Sequence, residues 1–102
     1  MHNCNIGNKL EYVFGKATGA AHNIARSKQM LLQLQRIGIF DNKAGRAYLS
    51  KHLNEVFQFV EGEVQANGRT LRESLLMGPN GALKMNSIWD GDKLITIELF
   101  GK

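Results

Sequence analysis

The stretch GRTLRESLLMGPNGALKMNSIWDGDKLITIELF, residues 68–100, decides the fold. Successive side chains of a strand point to opposite faces, so a period of two in hydrophobicity marks a half-buried strand. Three such runs are present: Thr70 to Met77, Ala82 to Trp89 and Lys93 to Phe100. Gly78-Pro79-Asn80-Gly81 separates the first two, and Asp90-Gly91 separates the second pair. Both are strong turn signals. The reading is a three-stranded antiparallel meander. Leu71, Leu75 and Met77 are expected on its buried face, with Leu83, Met85, Ile95, Ile97 and Leu99. Arg72, Ser74, Lys84, Asn86 and Thr96 are then expected together on the other face, more cationic than a solvated sheet requires. Glu73 falls among the apolar residues and is expected to be a paired structural carboxylate.

Working back from the sheet, EGEVQANG (residues 61–68) reads as a polar connection. Before it, Leu49, Leu53, Val56 and Val60 recur near the helical period, which predicts a helix from about Ala44 to Glu61. Phe40-Asp41-Asn42 supplies its turn and cap. An earlier helix is predicted from Ala20 to Ile37, with Ile24, Leu31 and Leu34 inward, Thr18 as N-cap and Gly38 as stop. His22 and Arg26 fall one turn apart on another face of that helix, near its positive end. Residues 1–14 read as a leader whose Leu10, Tyr12, Val13 and Phe14 are apolar enough to dock. Residues 15–102 read as a single domain. Two helices followed by a sheet make an α+β fold with the helices on one face.

A chain of 102 residues supports one core. No apolar run approaches a membrane span, and the N-terminus has no signal-peptide core. Cys4 is the only cysteine, so no intrachain disulfide can form, and it is taken as incidental. The net charge of +4 is unevenly spread. Lys9 to Lys51 carries eight basic residues against Glu11 and Asp41, a net of +6, while residues 52–102 carry a net of −2. One side of the domain should therefore attract phosphate or an acidic protein.

The histidines (His2, His22 and His52) are far apart in sequence, and no paired carboxylates stand in the arrangement that magnesium nucleases use, so no metal or other cofactor is expected. The residue types left fit metal-free RNA cleavage. A histidine moves a proton, an arginine stabilises charge on the phosphorane, and a hydroxyl orients the phosphate. The candidate catalytic set is His22, Arg26, Arg72, Ser74 and Thr96. Lys16, Lys28, Arg36, Arg69 and Lys84 are the candidate RNA-binding cations. His52 is expected at a surface or core edge. The competing reading of the same residues is a non-catalytic RNA-binding or protein-interaction module.

Three stretches together carry a resemblance: VFGKATGAAHNIARSKQMLLQLQRIGI (13–39), AGRAYLSKHL (44–53) and RESLLMGPNGALKMNSIWDGDKLITIELFG (72–101). They resemble the C-terminal toxin module of bacterial surface filaments of the CdiA and filamentous-haemagglutinin type, in contact-dependent growth inhibition. The resemblance implies a metal-independent ribonuclease of the barnase/EndoU/colicin/RelE architecture that cleaves transfer RNA. It implies secretion as part of a larger surface effector and delivery to the target-cell cytoplasm. It also implies a cognate immunity protein, expected to be acidic, and in some relatives a requirement for elongation factor Tu. By this resemblance the GxxHN segment corresponds to Gly19, His22 and Asn23, and the strand segment to Arg72, Glu73 and Ser74. An immunity protein is disfavoured for this chain by its pI of about 9.5.

Overall fold

The computed structural model describes residues 5–6 and 9–101, so His2 and Cys4 lie outside the described residues. Its elements in chain order are α1 (Lys9–Val13), α2 (Ala21–Arg36), α3 (Lys43–Phe59), β1 (Glu63–Val64), β2 (Thr70–Gly78), β3 (Gly81–Asp90) and β4 (Lys93–Phe100). The four strands form an antiparallel sheet in the order β1-β2-β3-β4. The helices cover one face. The expected α+β plan is what the chain adopts. Two short elements join it: α1 within the expected leader, and β1 within the expected connection.

The core follows from the helix stripes and the inward sheet residues. Met30, Leu34 and Ile37 from the α2 segment meet Leu49, Leu53 and Val56 from α3, over Leu76, Leu83, Met85, Trp89, Leu94, Ile97 and Leu99. Val13 and Phe14 are each only 1 % exposed, so the end of α1 is part of this core. α3 starts where expected, because the Asn42 side chain accepts a hydrogen bond from the Gly45 amide at 2.7 Å. α2 differs. Its N-cap is Ala20, in extended backbone, and no side chain caps it; Thr18 stands outside the helix. The first amides of α2 therefore have no side-chain acceptor.

The C-terminal end of α2 fixes the sheet beneath it. Gly38 takes φ +88°, the left-handed conformation that ends the helix, and the Ile39 amide turns back to Leu34 O. Ile37 O then accepts from the Asn80 amide in the β2–β3 turn at 3.0 Å. That approach requires glycine at position 78: a Cβ there would lie 2.2 Å from Ile37 O.

The face of β2 is opposite to the one expected. Leu76 is buried, while Leu75 and Met77 are 57 % and 59 % exposed. The pairing with β3 sets this. Leu76 sits opposite Leu83, Ser74 opposite Met85 and Arg72 opposite Ser87, all on the helix-covered side. Leu75, Leu76 and Met77 are apolar in succession, so alternation within β2 alone does not choose the inward set. In β3 and β4 the expected inward residues Leu83, Met85, Ile97 and Leu99 are buried, but Ile95 is not: a bulge opposite Ile88 and Trp89 breaks the alternation, and Leu94 turns inward instead.

Gly78→Ala is expected to lose about 1–3 kcal/mol of stability, the usual cost of forcing extra volume into a packed contact. Urea denaturation should show a lower midpoint with an unchanged slope. An unaltered midpoint would show that the hairpin moves away from α2 at no cost.

Candidate functional site

The sequence-predicted residues fall into two groups on opposite edges of the sheet. Arg72 and Ser74 meet α3. Ser74 Oγ lies 3.1 Å from His52 Nε2, and Arg72 Nε donates to Val60 O at 3.2 Å. The Arg72 guanidinium stands 5.3 Å from the Phe57 ring centre and 5.7 Å from that of Trp89, distances suited to cation–π attraction. Its Nη1 is buried without a hydrogen-bond partner. Burial disfavours the charged form and lowers the Arg72 pKa. Beneath it, Trp89 Nε1 donates to Ser87 Oγ, which donates to Arg72 O. This cluster seats α3 on β2. His52, Arg72 and Ser74 are each partly exposed, so the cluster borders solvent beside α3.

Lys84 and Thr96 are not on that face. Thr96 pairs with Ile88, and Lys84 with Leu75, all pointing away from α3. The Lys84 ammonium is 3.2 Å from Glu73, so Glu73 is the paired surface carboxylate of the open face rather than a core residue. Arg69 lies exposed in the loop before β2, where its amide donates to Asn67 Oδ1. Lys28 and Arg36 are exposed along α2.

Arg26 and Thr96 do come together. They line a cavity of about 160 Å³ with Lys9, Tyr12, Asn23 and the edge of β4 at Ile95 and Ile97. A second, shallower depression of about 500 Å³ shares Lys9, Tyr12 and Asn23 and adds Lys16 and Thr18. The two form one groove between α1, the GKATG loop and the start of α2. His22 is exposed in the first turn of α2 and precedes Asn23. It lies four residues before Arg26 and so shares a helix side with it. Lys9, Lys16 and Arg26 therefore converge on the uncapped, positive end of α2, beside an aromatic side chain and two hydroxyls.

Two features missed in the sequence hold this groove. Ser27 is fully buried; its Oγ accepts from the Ala17 amide at 3.1 Å and donates to Tyr12 O. A single hydroxyl thus ties α1, the loop and α2 together. Arg46 of α3 donates to Asp41 at 2.6 Å and to Glu11 at 2.5 Å, and Asp41 also holds the Lys16 ammonium at 3.2 Å. The hydrogen bonds from Arg46 hold both carboxyls below their ordinary pKa and raise that of the guanidinium. The residue types alone carry no signal of either arrangement, because Ser27 reads as an ordinary helix residue.

A further groove of about 490 Å³, bounded by Phe40, Tyr48, Met77 and Pro79, contains no charged side chain. It offers nothing to a phosphate. Among the described residues, no three His, Cys, Asp or Glu side chains group to hold a metal ion. No described helix is long and apolar enough to cross a membrane.

This fold has a solved relative. The chain is similar to one from a contact-dependent growth inhibition toxin–immunity protein complex of Klebsiella pneumoniae 342. The TM-score is 0.76 at 28% identity, over 98% of this chain and 95% of that one. Over essentially its whole length the chain is thus similar in fold and sequence to a component of that toxin–immunity complex. No protein-family profile and no curated protein matches the chain.

The His52 contact gives a pH test. Burial lowers the His52 pKa from its ordinary 6.5, the Glu55 carboxylate opposing this more weakly. The unfolded chain then binds the proton more readily than the folded one. Stability should be full above about pH 6.5 and fall as pH drops from there towards the folded value. Glu11 and Asp41 add losses only in the carboxylate range, at lower pH. The thermal midpoint should therefore hold down to about pH 6.5 and decline below it, and His52→Gln should flatten that decline. Parallel declines in both proteins would assign it to other groups.

Proposed function

We propose that this domain is the toxin of a contact-dependent growth inhibition pair and cleaves RNA without a metal ion. The observation that carries the reading is the convergence of Lys9, Lys16 and Arg26 on the groove at the start of α2, with the Thr96 stretch of β4 along its edge and His22 in the first turn of the same helix. The similarity to the Klebsiella complex supports the toxin–immunity setting. The basic character of the first half supports the toxin over its partner.

In this reading the substrate's 2′-hydroxyl attacks the adjacent phosphorus, and the 5′-oxygen leaves, giving a 2′,3′-cyclic phosphate. His22 moves the proton in that exchange. Arg26, aided by Lys16 and Lys9, offsets the charge that builds on the phosphorane oxygens. The Thr96 hydroxyl orients the phosphate. Arg72 and Ser74 act at a distance, by seating α3. Transfer RNA is the proposed substrate on the family resemblance. The proposed immunity partner is an acidic protein, and delivery is as the tip of a larger surface effector.

The test is expression in bacteria with and without the adjacent gene, followed by inspection of total RNA, and the same assay on purified protein. Discrete fragments are expected without the adjacent gene, and in vitro cleavage should persist in excess EDTA. Purified elongation factor Tu is added in one arm, to reveal a dependence on it. His22→Ala should lower the cleavage rate by about a hundred- to ten-thousand-fold with the melting temperature unchanged. His52→Ala should still cleave. RNA binding without cleavage by the wild-type protein would establish the non-catalytic module instead. Activity lost to EDTA and restored by magnesium would overturn the metal-free mechanism.

A further inference from the structure

The uncharged groove beside Phe40 belongs to a longer apolar surface. Phe40, Tyr48 and Met77 are exposed, and with Pro79 they wall the 490 Å³ groove. Leu75, two residues before Met77 on the same face of β2, is exposed as well. Large apolar side chains left in contact with water side by side mark a surface where protein meets protein. Beside them, β2 has no strand neighbour for most of its length. β3 pairs with all of β2, but β1 pairs only with Thr70 and Leu71. Leu71 O lies against Gly62, ahead of β1, and Met77 O accepts from the Tyr48 hydroxyl. Backbone groups alternate in direction along a strand, so Leu75 directs its N–H and C=O to that same free side. Among the described residues nothing outside the sheet ladder bonds them. An open edge of this kind takes an added strand.

Charge sets the chemistry of the occupant. Lys43 is exposed and falls between two residues that line the groove, Asn42 and Ala44. It makes no ion pair among the described residues. It stands in the first turn of α3, where the helix dipole disfavours a cation, and no acidic residue shares that turn. Helix stability therefore does not account for it, whereas an incoming carboxylate would. We infer that this surface docks an extended segment of an acidic partner protein. An apolar side chain of the segment fills the groove between Phe40 and Met77, a carboxylate meets Lys43, and its backbone pairs with Leu75. The partner is the product of the adjacent gene, an assignment that rests on the toxin–immunity reading. The groove lies past the end of α2, at Gly38, and the cationic groove lies at its start. The 16 residues of α2, about 24 Å of helix, run between the two. The docking surface is thus separate from the proposed RNA site.

The test titrates the purified product of the adjacent gene against the purified protein, with melting temperature, RNA binding and RNA cleavage measured on each variant. Phe40→Ala should weaken partner binding by about thirtyfold or more, the loss that marks a hot spot. Lys43→Glu should weaken it too, most strongly at low salt, and serves if Phe40→Ala does not fold. Leu75→Pro removes one edge N–H, so it should fold yet bind about tenfold more weakly, while Leu75→Thr keeps that amide and most of the affinity. All four variants should cleave RNA as the wild type does. No binding by the wild type, or unchanged affinity in both Phe40→Ala and Lys43→Glu, would overturn the site. A Leu75→Pro protein that does not fold would show the amide to be engaged inside the sheet and would overturn the added strand. RNA binding lost in Lys43→Glu while partner binding is kept would assign the surface to RNA instead. Partner binding that these variants weaken, in a protein that cleaves no RNA, removes the ribonuclease reading and leaves the docking surface standing.

Discussion

The contact on which the rest of this structure depends is the seating of the α2 C-terminus on the β2–β3 turn. Ile37 O accepts from Asn80, and Gly78 leaves the space for it. With that end fixed, Leu76 turns inward and the two-residue period carries Ser74 and Arg72 inward with it. A one-residue slip would bury Leu75 and Met77 and place a guanidinium on the open face. The helix–hairpin contact thus decides which side of β2 meets α3. It thereby decides that Arg72 lies against α3 rather than in the groove beside α1.

The elements legible in the sequence were those with an unambiguous period or a strong punctuation signal. The β3 alternation, the Asn42 cap and the Gly38 stop stand as read, while in β4 a bulge turns Leu94 inward in place of Ile95. β2 was misread because three apolar residues in succession support either face, and the choice depends on a contact with residues forty positions away in the chain. Thr18 looked like a cap because its chemistry suits one, yet the loop carries it past the helix start. The grouping of Arg26 with Thr96 was legible as a set of residue types. Its separation from Arg72 and Ser74 was not, since it follows from the strand order and the β2 register.

The groove is rigid for reasons that sit beneath it. Ser27 satisfies a carbonyl of α1 and an amide of the loop at once, so no water is needed to shape the GKATG turn. Arg46 spans two carboxylates from different segments and holds Lys16 through one of them. A cation fixed by a second-layer arginine presents its charge at one place, and binding a phosphate there costs less ordering.

Trp89 has a use beyond packing. It is the only tryptophan in the chain, fully buried, with the Phe57 ring centre 5.3 Å away and the Arg72 cation nearby. Its surroundings are supplied by α3 and the inner sheet, with Thr70 of β2 and Leu94 of β4 as its strand partners. The domain therefore contains an internal optical probe that responds when α3 parts from the sheet.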